Sequence, residues 1–226
     1  MPRVNDEYYK KKRQEIIDAA YRVCVRKPIT SVEMKDVIAE TGFSHGAIYR
    51  YYNDLDEILN DLVKKINSEN RIDESLKVIL DHAGIEEWER AIHEICNLLA
   101  IQMESVGTDL LKLSIYSDML AMSDPQRAAN IAEKLGNNEQ SPLIYIFSTL
   151  TEYLNRVVKE RSLKPDRTID EILQFMIVTY HGIQTGYVLS ECFRVDQLEG
   201  KYKPKMMFSC LADAVIMMMG GKGDVL

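Results

Sequence analysis

Hydroxyl, imidazole and guanidinium groups are concentrated in one short stretch of the chain, between Ser44 and Tyr52. Its first part, residues 45–47, reads His-Gly-Ala, and small residues let a helix backbone come close to another molecule. Its second part, residues 49–51, reads Tyr-Arg-Tyr and supplies hydrogen-bond donors. Small residues suit the approach to base edges, and donors suit the flanking phosphates. The chemistry predicted for this stretch is recognition of double-stranded DNA.

Two short helices are needed to hold this stretch against a duplex, and the flanking sequence predicts both. Ser44 is a candidate N-cap for a helix over 45–52, and Thr30 or Ser31 for the helix before it. Between them lies Gly42, where the chain leaves a helix through the left-handed conformation that glycine tolerates. These are the proportions of a helix-turn-helix, whose second helix enters the major groove. The predicted core between the helices is Val37, Ile38, Phe43 and Ile48.

The rest of the chain is predicted to be helical as well, because apolar residues recur at helical spacing and no alternating run is long enough for a sheet. A helix over 7–26 precedes the pair, and a fourth helix over 55–67 follows it. Beyond residue 72 the predicted helices span 75–81, 85–105, 108–122, 125–135, 142–161, 168–193 and 204–219. The predicted fold class is all-α, with domains over residues 1–65 and 66–226.

The net charge of −7 is unevenly distributed along the chain. Residues 1–52 carry ten Lys and Arg against seven Asp and Glu, a net +3, whereas the rest of the chain carries 18 against 28, a net −10. A basic end on an acidic body suits a protein that meets phosphate with one end only.

Composition places the chain among globular proteins, with 46% hydrophobic and 28% charged residues. No apolar run approaches the ~18–20 residues of a membrane span, and residues 1–13 lack the features of a secretory signal. Four widely spaced cysteines in apolar helical contexts predict reduced core thiols in a cytoplasmic protein. They are Cys24, Cys96, Cys192 and Cys210.

The order and spacing of these residues resemble the DNA-binding domain of the tetracycline-repressor (TetR) family. The resemblance runs from Arg13 to Leu59, about a fifth of the chain. It rests on Ile16-Ile17-Asp18-Ala19-Ala20, Met34-Lys35-Asp36-Val37, Gly42-Phe43-Ser44, Gly46, and Ile48-Tyr49-Arg50-Tyr51-Tyr52 before an acidic helix start.

The resemblance implies roles for individual residues. His45, Gly46 and Ala47 are expected to approach base edges. Tyr49 and Tyr51 are expected to contact phosphates. Lys35 and Arg50 are each expected to contact a phosphate or a base. Tyr52 corresponds to an aromatic residue that packs in the core. The DNA-binding residues implied in this way are Lys35, Ser44, His45, Gly46, Ala47, Tyr49, Arg50 and Tyr51.

The sequence departs from the family pattern at three places. Pro28 replaces a usual glycine, and Val32 and Glu33 replace usual threonines, so a hydroxyl–phosphate contact is missing there. Leu55 replaces a usual lysine at the start of the fourth helix. The basic arm over residues 10–13 either replaces that lost phosphate contact or is a solvated first turn.

The resemblance also assigns two roles to the body, dimerisation and binding of a small molecule. The helices over 168–193 and 204–219 are apolar over much of their girth, which favours an interface between two copies. Polar and aromatic groups in apolar helices either line a pocket or are hydrogen-bonded core residues. The pocket candidates are Trp88, Tyr116, Tyr145, Tyr180, His181, Gln184 and Tyr187, and His93, Gln102 and Tyr153 have the same character.

The implied protein is a homodimeric repressor that binds a palindromic operator and is released by a small hydrophobic molecule. An enzyme is the main rival class, but the sequence has no Glu-x-x-His pair, P-loop, Gly-rich dinucleotide loop or HExxH. We therefore expect no catalytic residue, no metal and no cofactor. The second rival is a constitutive DNA-binding protein whose body serves only dimerisation; a closed apolar cavity in the body would argue against it.

Overall fold

The computed structural model describes residues 6–134, 142–193 and 202–221, and every regular element in these ranges is helical. The all-α class predicted from the sequence is confirmed. The helices are α1 (Asp6–Arg26), α2 (Met34–Thr41), α3 (His45–Ile48), α4 (Leu55–Glu69), α5 (Asp73–Ala83), α6 (Trp88–Ser105), α7 (Gly107–Ser123), α8 (Pro125–Glu133), α9 (Pro142–Arg161), α10 (Ile169–Phe193) and α11 (Pro204–Met218).

Helix α1 forms the centre of the N-terminal core and packs against both α2 and α4. Its apolar stripe follows helical spacing and is buried as predicted, since Ile16 and Ala20 are fully enclosed. Helix α4 contributes Ile58, Leu59 and Leu62 to the buried surface. Burial of each large aliphatic side chain stabilises the fold by about 1.5–3 kcal/mol.

The start of α2 differs from the prediction. After Pro28 the chain makes a single 3-10 turn, in which the Ser31 amide donates to the Pro28 carbonyl at 2.8 Å. The N-cap is Glu33, so the prediction of Thr30 or Ser31 was wrong. Glu33 and Asp36 form a capping box, and the Glu33 amide donates to the Asp36 carboxylate at 2.7 Å. The Asp36 carboxylate thereby satisfies the Glu33 amide, which has no partner within the helix.

The end of α2 follows the prediction, because Gly42 lies in the left-handed region at φ 67°. Helix α3 is shorter than the predicted 45–52, since it ends at Ile48 and gives way to tighter turns. There the Arg50 amide donates to the Ala47 carbonyl at 3.3 Å and the Tyr51 amide to the Ile48 carbonyl at 2.8 Å. Ser44 has the extended backbone of an N-cap, but its hydroxyl does not cap.

The chain divides into two compact units, one of residues 1–70 and 112–140 and one of residues 71–111 and 141–226. The predicted domain division after residue 65 stays a prediction. On this division the chain passes between the units three times, because α8 and most of α7 belong to the first unit. Helix α8 packs on α4 inside that unit.

Two polar contacts tie α8 to α4. The Arg127 guanidinium donates to Asp56 Oδ1 from Nε at 2.9 Å and from Nη2 at 2.7 Å. The Asn60 amide donates to the Ile131 carbonyl at 2.9 Å, and Asn60 is buried. The start of α8 is as predicted, with Pro125 in its first turn and the Asp124 carboxylate accepting the Arg127 amide.

In the second unit α11 packs against α6 and α10, and α5 and α9 complete the core. The predicted burial of four thiols is right for Cys24 and Cys96, where burial raises the pKa to about 11 and about 12 respectively. It was wrong for Cys192 and Cys210, which lie on exposed sides of α10 and α11. Across the described ranges no helix is long and apolar enough to cross a membrane.

Candidate nucleic-acid interface

The surface around α3 combines an anchored underside with an exposed outer side. Ile48 is fully enclosed and Tyr52 is only 1% exposed, so both fix the segment to the core. Tyr52 therefore packs, as predicted, and is not a surface contact. The outer side consists of Ser44, His45, Gly46, Tyr49 and Arg50, all exposed, with Ala47 half-buried beside them.

Two ring contacts order the aromatic side chains on this surface. The His45 and Tyr49 rings lie 4.8 Å apart between centroids, and the Tyr51 ring lies 5.0 Å from that of Tyr9 in α1. Neither the Tyr49 nor the Tyr51 hydroxyl hydrogen-bonds to a described residue. A tyrosine whose ring is already held by a neighbouring ring loses little side-chain conformational entropy when its hydroxyl donates to a partner.

Arg13 ties the exit of α3 to α1 and α4. Its Nη1 donates to the Tyr51 carbonyl at 3.0 Å, its Nη2 pairs with Asp61, and its guanidinium lies 4.2 Å over the Tyr52 ring. The Tyr52 hydroxyl donates to the same Asp61 carboxylate at 3.0 Å. Burial, together with the Asp61 charge, raises the pKa of Tyr52 far above its usual range. Arg13 is therefore a structural residue, which removes it from the predicted phosphate-binding arm.

The remaining lysines of that arm divide into two kinds. Lys12 pairs with Glu15 at 2.6 Å and lies 4.9 Å from the centre of the Phe43 ring. Lys10 and Lys11 are exposed and pair with no described carboxylate. The two alternatives left open by the sequence, a phosphate contact or a solvated first turn, thus apply only to Lys10 and Lys11.

Lys35 projects from the first turn of α2 with its side chain 74% exposed. Its Nζ lies 2.8 Å from a Glu33 carboxylate oxygen, and this hydrogen bond raises the pKa of Lys35. A contact between Lys35 and DNA would exchange this carboxylate for a phosphate or a base.

The break between α3 and α4 is fixed by side-chain caps. The Asp54 carboxylate accepts the Glu57 amide at 2.8 Å. The Glu57 carboxylate in turn accepts the Asn53 side-chain amide at 3.0 Å and the Asn53 backbone amide at 2.9 Å. These bonds lower the pKa of Glu57, so its charge is retained.

An open cleft of about 400 Å³ lies beside this break. Its lining combines the exit of α3 with side chains of α1, α4 and α8, and all of it belongs to the first compact unit. The lining residues are Tyr9, Arg13, Tyr49, Arg50, Tyr51, Tyr52, Asn53, Glu57, Asn60, Asp61 and Lys134.

The pocket candidates of the body occupy different environments. The Tyr180 ring meets the His181 ring edge-on, with 5.8 Å between centroids, and lies tilted against the Phe208 ring at 5.9 Å; burial raises the pKa of Tyr180 to about 12. Gln184 is buried, and its amide donates to the Leu111 carbonyl at 3.3 Å. Tyr187, on the same helix, is half-buried.

The other candidates do not join this group in any described contact. Trp88 is 4% exposed at the start of α6, Tyr145 is half-buried in α9, and Tyr116 is half-buried in the part of α7 that belongs to the first unit. Tyr153 is a hydrogen-bonded core residue, since its hydroxyl donates to the Gly84 carbonyl at 2.6 Å. No group of three or more His, Cys, Asp or Glu in the described ranges could hold a metal.

Sequence reasoning missed Asn60, Asp61 and Lys134. Asn60 and Asp61 lie in an amphipathic helix where a polar residue carries no spacing signal, and Lys134 lies at the end of a helix assigned to the body. Their partners are distant in sequence, 71 residues away for Asn60 and 48 for Asp61.

Comparison with known proteins identifies the N-terminal part of the chain as similar to transcriptional regulators. The family model for bacterial regulatory proteins of the tetR family matches residues 16–62. An uncharacterized HTH-type transcriptional regulator of Bacillus subtilis (strain 168), YfiR, is 36% identical over 76 residues, which are 34% of this chain and 35% of that protein. The match thus spans about a third of the relative's length.

Solved structures resemble the fold over almost the whole chain. A TetR transcription regulator from Haloarcula marismortui ATCC 43049 aligns with a TM-score of 0.58 at 17% identity, over 91% of this chain and 98% of that one. Salmonella enterica GusR aligns with a TM-score of 0.57 at 11% identity, over 97% and 100%. Residues 16–62 therefore form a helix-turn-helix DNA-binding domain of the tetR type, and the chain as a whole shares the all-α fold of these solved structures.

Proposed function

We propose that the protein is a repressor that binds a palindromic operator as a homodimer and leaves it when a small, hydrophobic molecule binds. The observation that carries this proposal is the surface around α3. Its donors are exposed and available, while Ile48 and Tyr52 hold its underside in the core. Such a surface suits entry into a major groove, where a moving side chain would lose discrimination between bases.

The residues of this surface divide by chemistry into two sets of DNA contacts. His45, Gly46 and Ala47 come first in α3 and would approach base edges, because the N-terminal part of a recognition helix meets the bases. Tyr49, Arg50 and Tyr51 follow and would contact phosphates through hydroxyl and guanidinium groups. Lys35 would join them after leaving Glu33, with Ser44 at the start of α3.

The second copy would bind through α10 and α11. Apolar side chains recur at helical spacing on the exposed side of α10, where Phe175 is 43%, Val178 70% and Leu189 48% exposed. On α11 Met206 and Met217 are each 59% exposed. Monomeric proteins rarely leave large contiguous apolar patches in water, so these faces favour association of two copies.

The effector would bind in the body, where Tyr180, His181 and Gln184 on α10 offer two aromatic rings and an amide, the chemistry of a small-molecule site. Gln184 reaches a carbonyl of α7, the helix that continues into the first unit. Inside that unit α8 follows α7 and is bonded to α4. An effector that shifts α7 would therefore disturb the support of the helix-turn-helix.

Selection of duplexes from a random library by the purified protein tests DNA binding and dimerisation together. We expect enrichment of a palindrome whose half-sites are about one helical turn apart, ~34–36 Å, and a dimer by light scattering. A variant with Tyr49→Phe and Arg50→Gln is the matched control and should enrich weakly. No enrichment by the unaltered protein, or a monomer, would overturn the proposal.

A linkage measurement separates the repressor from a constitutive DNA-binding protein. Weakening of operator binding 100-fold requires ~2.7 kcal/mol of coupling, and the operator must weaken effector binding equally. For a compound found by thermal-shift screening, affinity is measured with and without saturating operator. Equal affinities would exclude that compound as the effector.

A further inference from the structure

The cleft beside α3 contains more positive than negative charge. Its cations are Arg13, Arg50 and Lys134, and its anions are Glu57 and Asp61. Arg13 and Asp61 neutralise each other in an ion pair. The charge left over is that of Arg50 and Lys134 against Glu57 alone, a net of one positive charge.

The two remaining cations are available to an anion. Both are exposed, and neither forms an ion pair with a carboxylate in the described ranges. Lys134 follows the last residue of α8, so it reaches the cleft from outside the helix-turn-helix. Its charge lowers the pKa of Glu57, after the larger effect of the Asn53 hydrogen bonds, which indicates that the ammonium group lies close enough to act on the cleft.

Tyr49, Tyr51 and Arg50 line the same cleft as Lys134. Hydroxyls and cations that converge on one open space form the donor set of a phosphate site. The volume of about 400 Å³ is large enough for a phosphodiester with its neighbouring sugars, and its openness suits a polymer that passes through.

We infer that this cleft binds a phosphodiester of the DNA backbone, with Lys134 as a DNA contact contributed by α8. The inference rests on the proposed function, because Tyr49, Arg50 and Tyr51 line the same cleft. It extends the interface beyond residues 16–62, the part matched by the family model.

The test is the salt dependence of operator binding, measured by fluorescence anisotropy with labelled duplex of the selected sequence. Each phosphate that a protein neutralises contributes ~0.9 to the slope of log K against log salt. Lys134→Gln should lower the slope by about 0.9 for each bound protomer and weaken binding at low salt. Lys134→Arg should keep the slope, because it keeps the charge.

Lys159→Gln on the exposed side of α9 is the control, with the same charge change and an expected unchanged slope. Circular-dichroism melting of each variant establishes that the fold is retained. An unaltered slope for Lys134→Gln in a protein that binds the operator would overturn the inference and leave the proposed function standing. Failure of the unaltered protein to bind any duplex would overturn the proposed function itself.

A free small anion is the competing occupant, and inorganic phosphate is its probe. If phosphate raises the melting temperature of the unaltered protein but not of Lys134→Gln, while the DNA slope is the same for both, the cleft is a small-anion site and the assignment to DNA is wrong. We expect instead that Lys134→Gln changes the DNA slope and that phosphate competes only weakly.

Discussion

The side-chain amide of Asn60 in α4 donates a hydrogen bond of 2.9 Å to the main-chain carbonyl of Ile131 in α8. Helix α8 ends at Glu133, so its last carbonyls have no amide partner within the helix. Asn60 satisfies one of them from the neighbouring helix, in a buried position. The end of α8 is thereby fixed to the helix that follows the helix-turn-helix.

Asn60→Ala should lower the free energy of unfolding by about 1–3 kcal/mol, because it leaves a buried carbonyl without a donor. Urea denaturation followed by circular dichroism measures the change. Asn97→Ala, at an exposed position of α6, is the matched control and should stay within about 0.5 kcal/mol of the parent protein. Equal stabilities of the two variants would show that the Asn60 bond contributes nothing measurable.

Tyr49→Phe removes one phosphate hydrogen bond and should weaken binding to all duplexes alike, by about 1 kcal/mol. Substitution of His45 by alanine should instead change which base is preferred at one position of each half-site. Gel-shift titrations against the operator and its single-base variants distinguish the two effects. The docking described above is wrong if both variants keep the affinity and the preference of the parent.

Val178→Glu should convert the protein to a monomer, because it places a charge on the exposed apolar side of α10. A monomer contacts only one half-site at a time, so operator affinity should fall by more than tenfold. Val78→Glu in α5 is the control, since that valine is also about half exposed, at 52%. Multi-angle light scattering reports the mass, and a Val178→Glu dimer would place the interface elsewhere.

Acid should weaken the clamp between α1 and α2. Hydrogen bonds from Arg22, at 2.6 Å, and from Arg26 lower the pKa of Glu40 below 4.5. Since the folded state then binds this proton less tightly than the unfolded state, the clamp stabilises the fold above pH 4.5. Its contribution is lost as the pH falls through the lowered pKa.

The urea midpoints of the parent and of Glu40→Gln, compared as a function of pH, measure this loss. The parent should be the more stable at neutral pH, and the difference should shrink as the pH falls below 4.5. Glu74→Gln, at an exposed position of α5, is the control, and its stability should differ less from that of the parent. A constant gap between parent and Glu40→Gln over this range would contradict the prediction.

Local signals determined most of the helical framework from the sequence alone. Helix α9 was predicted at 142–161 and lies there, and α1 and α10 differ from their predictions by one residue at the start. Asp124-Pro125 marked the start of a helix and Gly42 the end of one, because the conformational preferences of these residues reside in their own backbone and side chains. The helix-turn-helix was recognisable for the same reason, since it is encoded within one short stretch.

Tertiary structure decided which polar residues support the interface. Arg13 belongs to the basic arm that the sequence left open as a phosphate contact or a solvated first turn, but its guanidinium binds Asp61, 48 residues away, and lies over the Tyr52 ring. The position of Lys134 beside the cleft likewise depends on the packing of α8 against α4. Residues that meet across long separations have no fixed spacing, so their partners are chosen only when the helices pack.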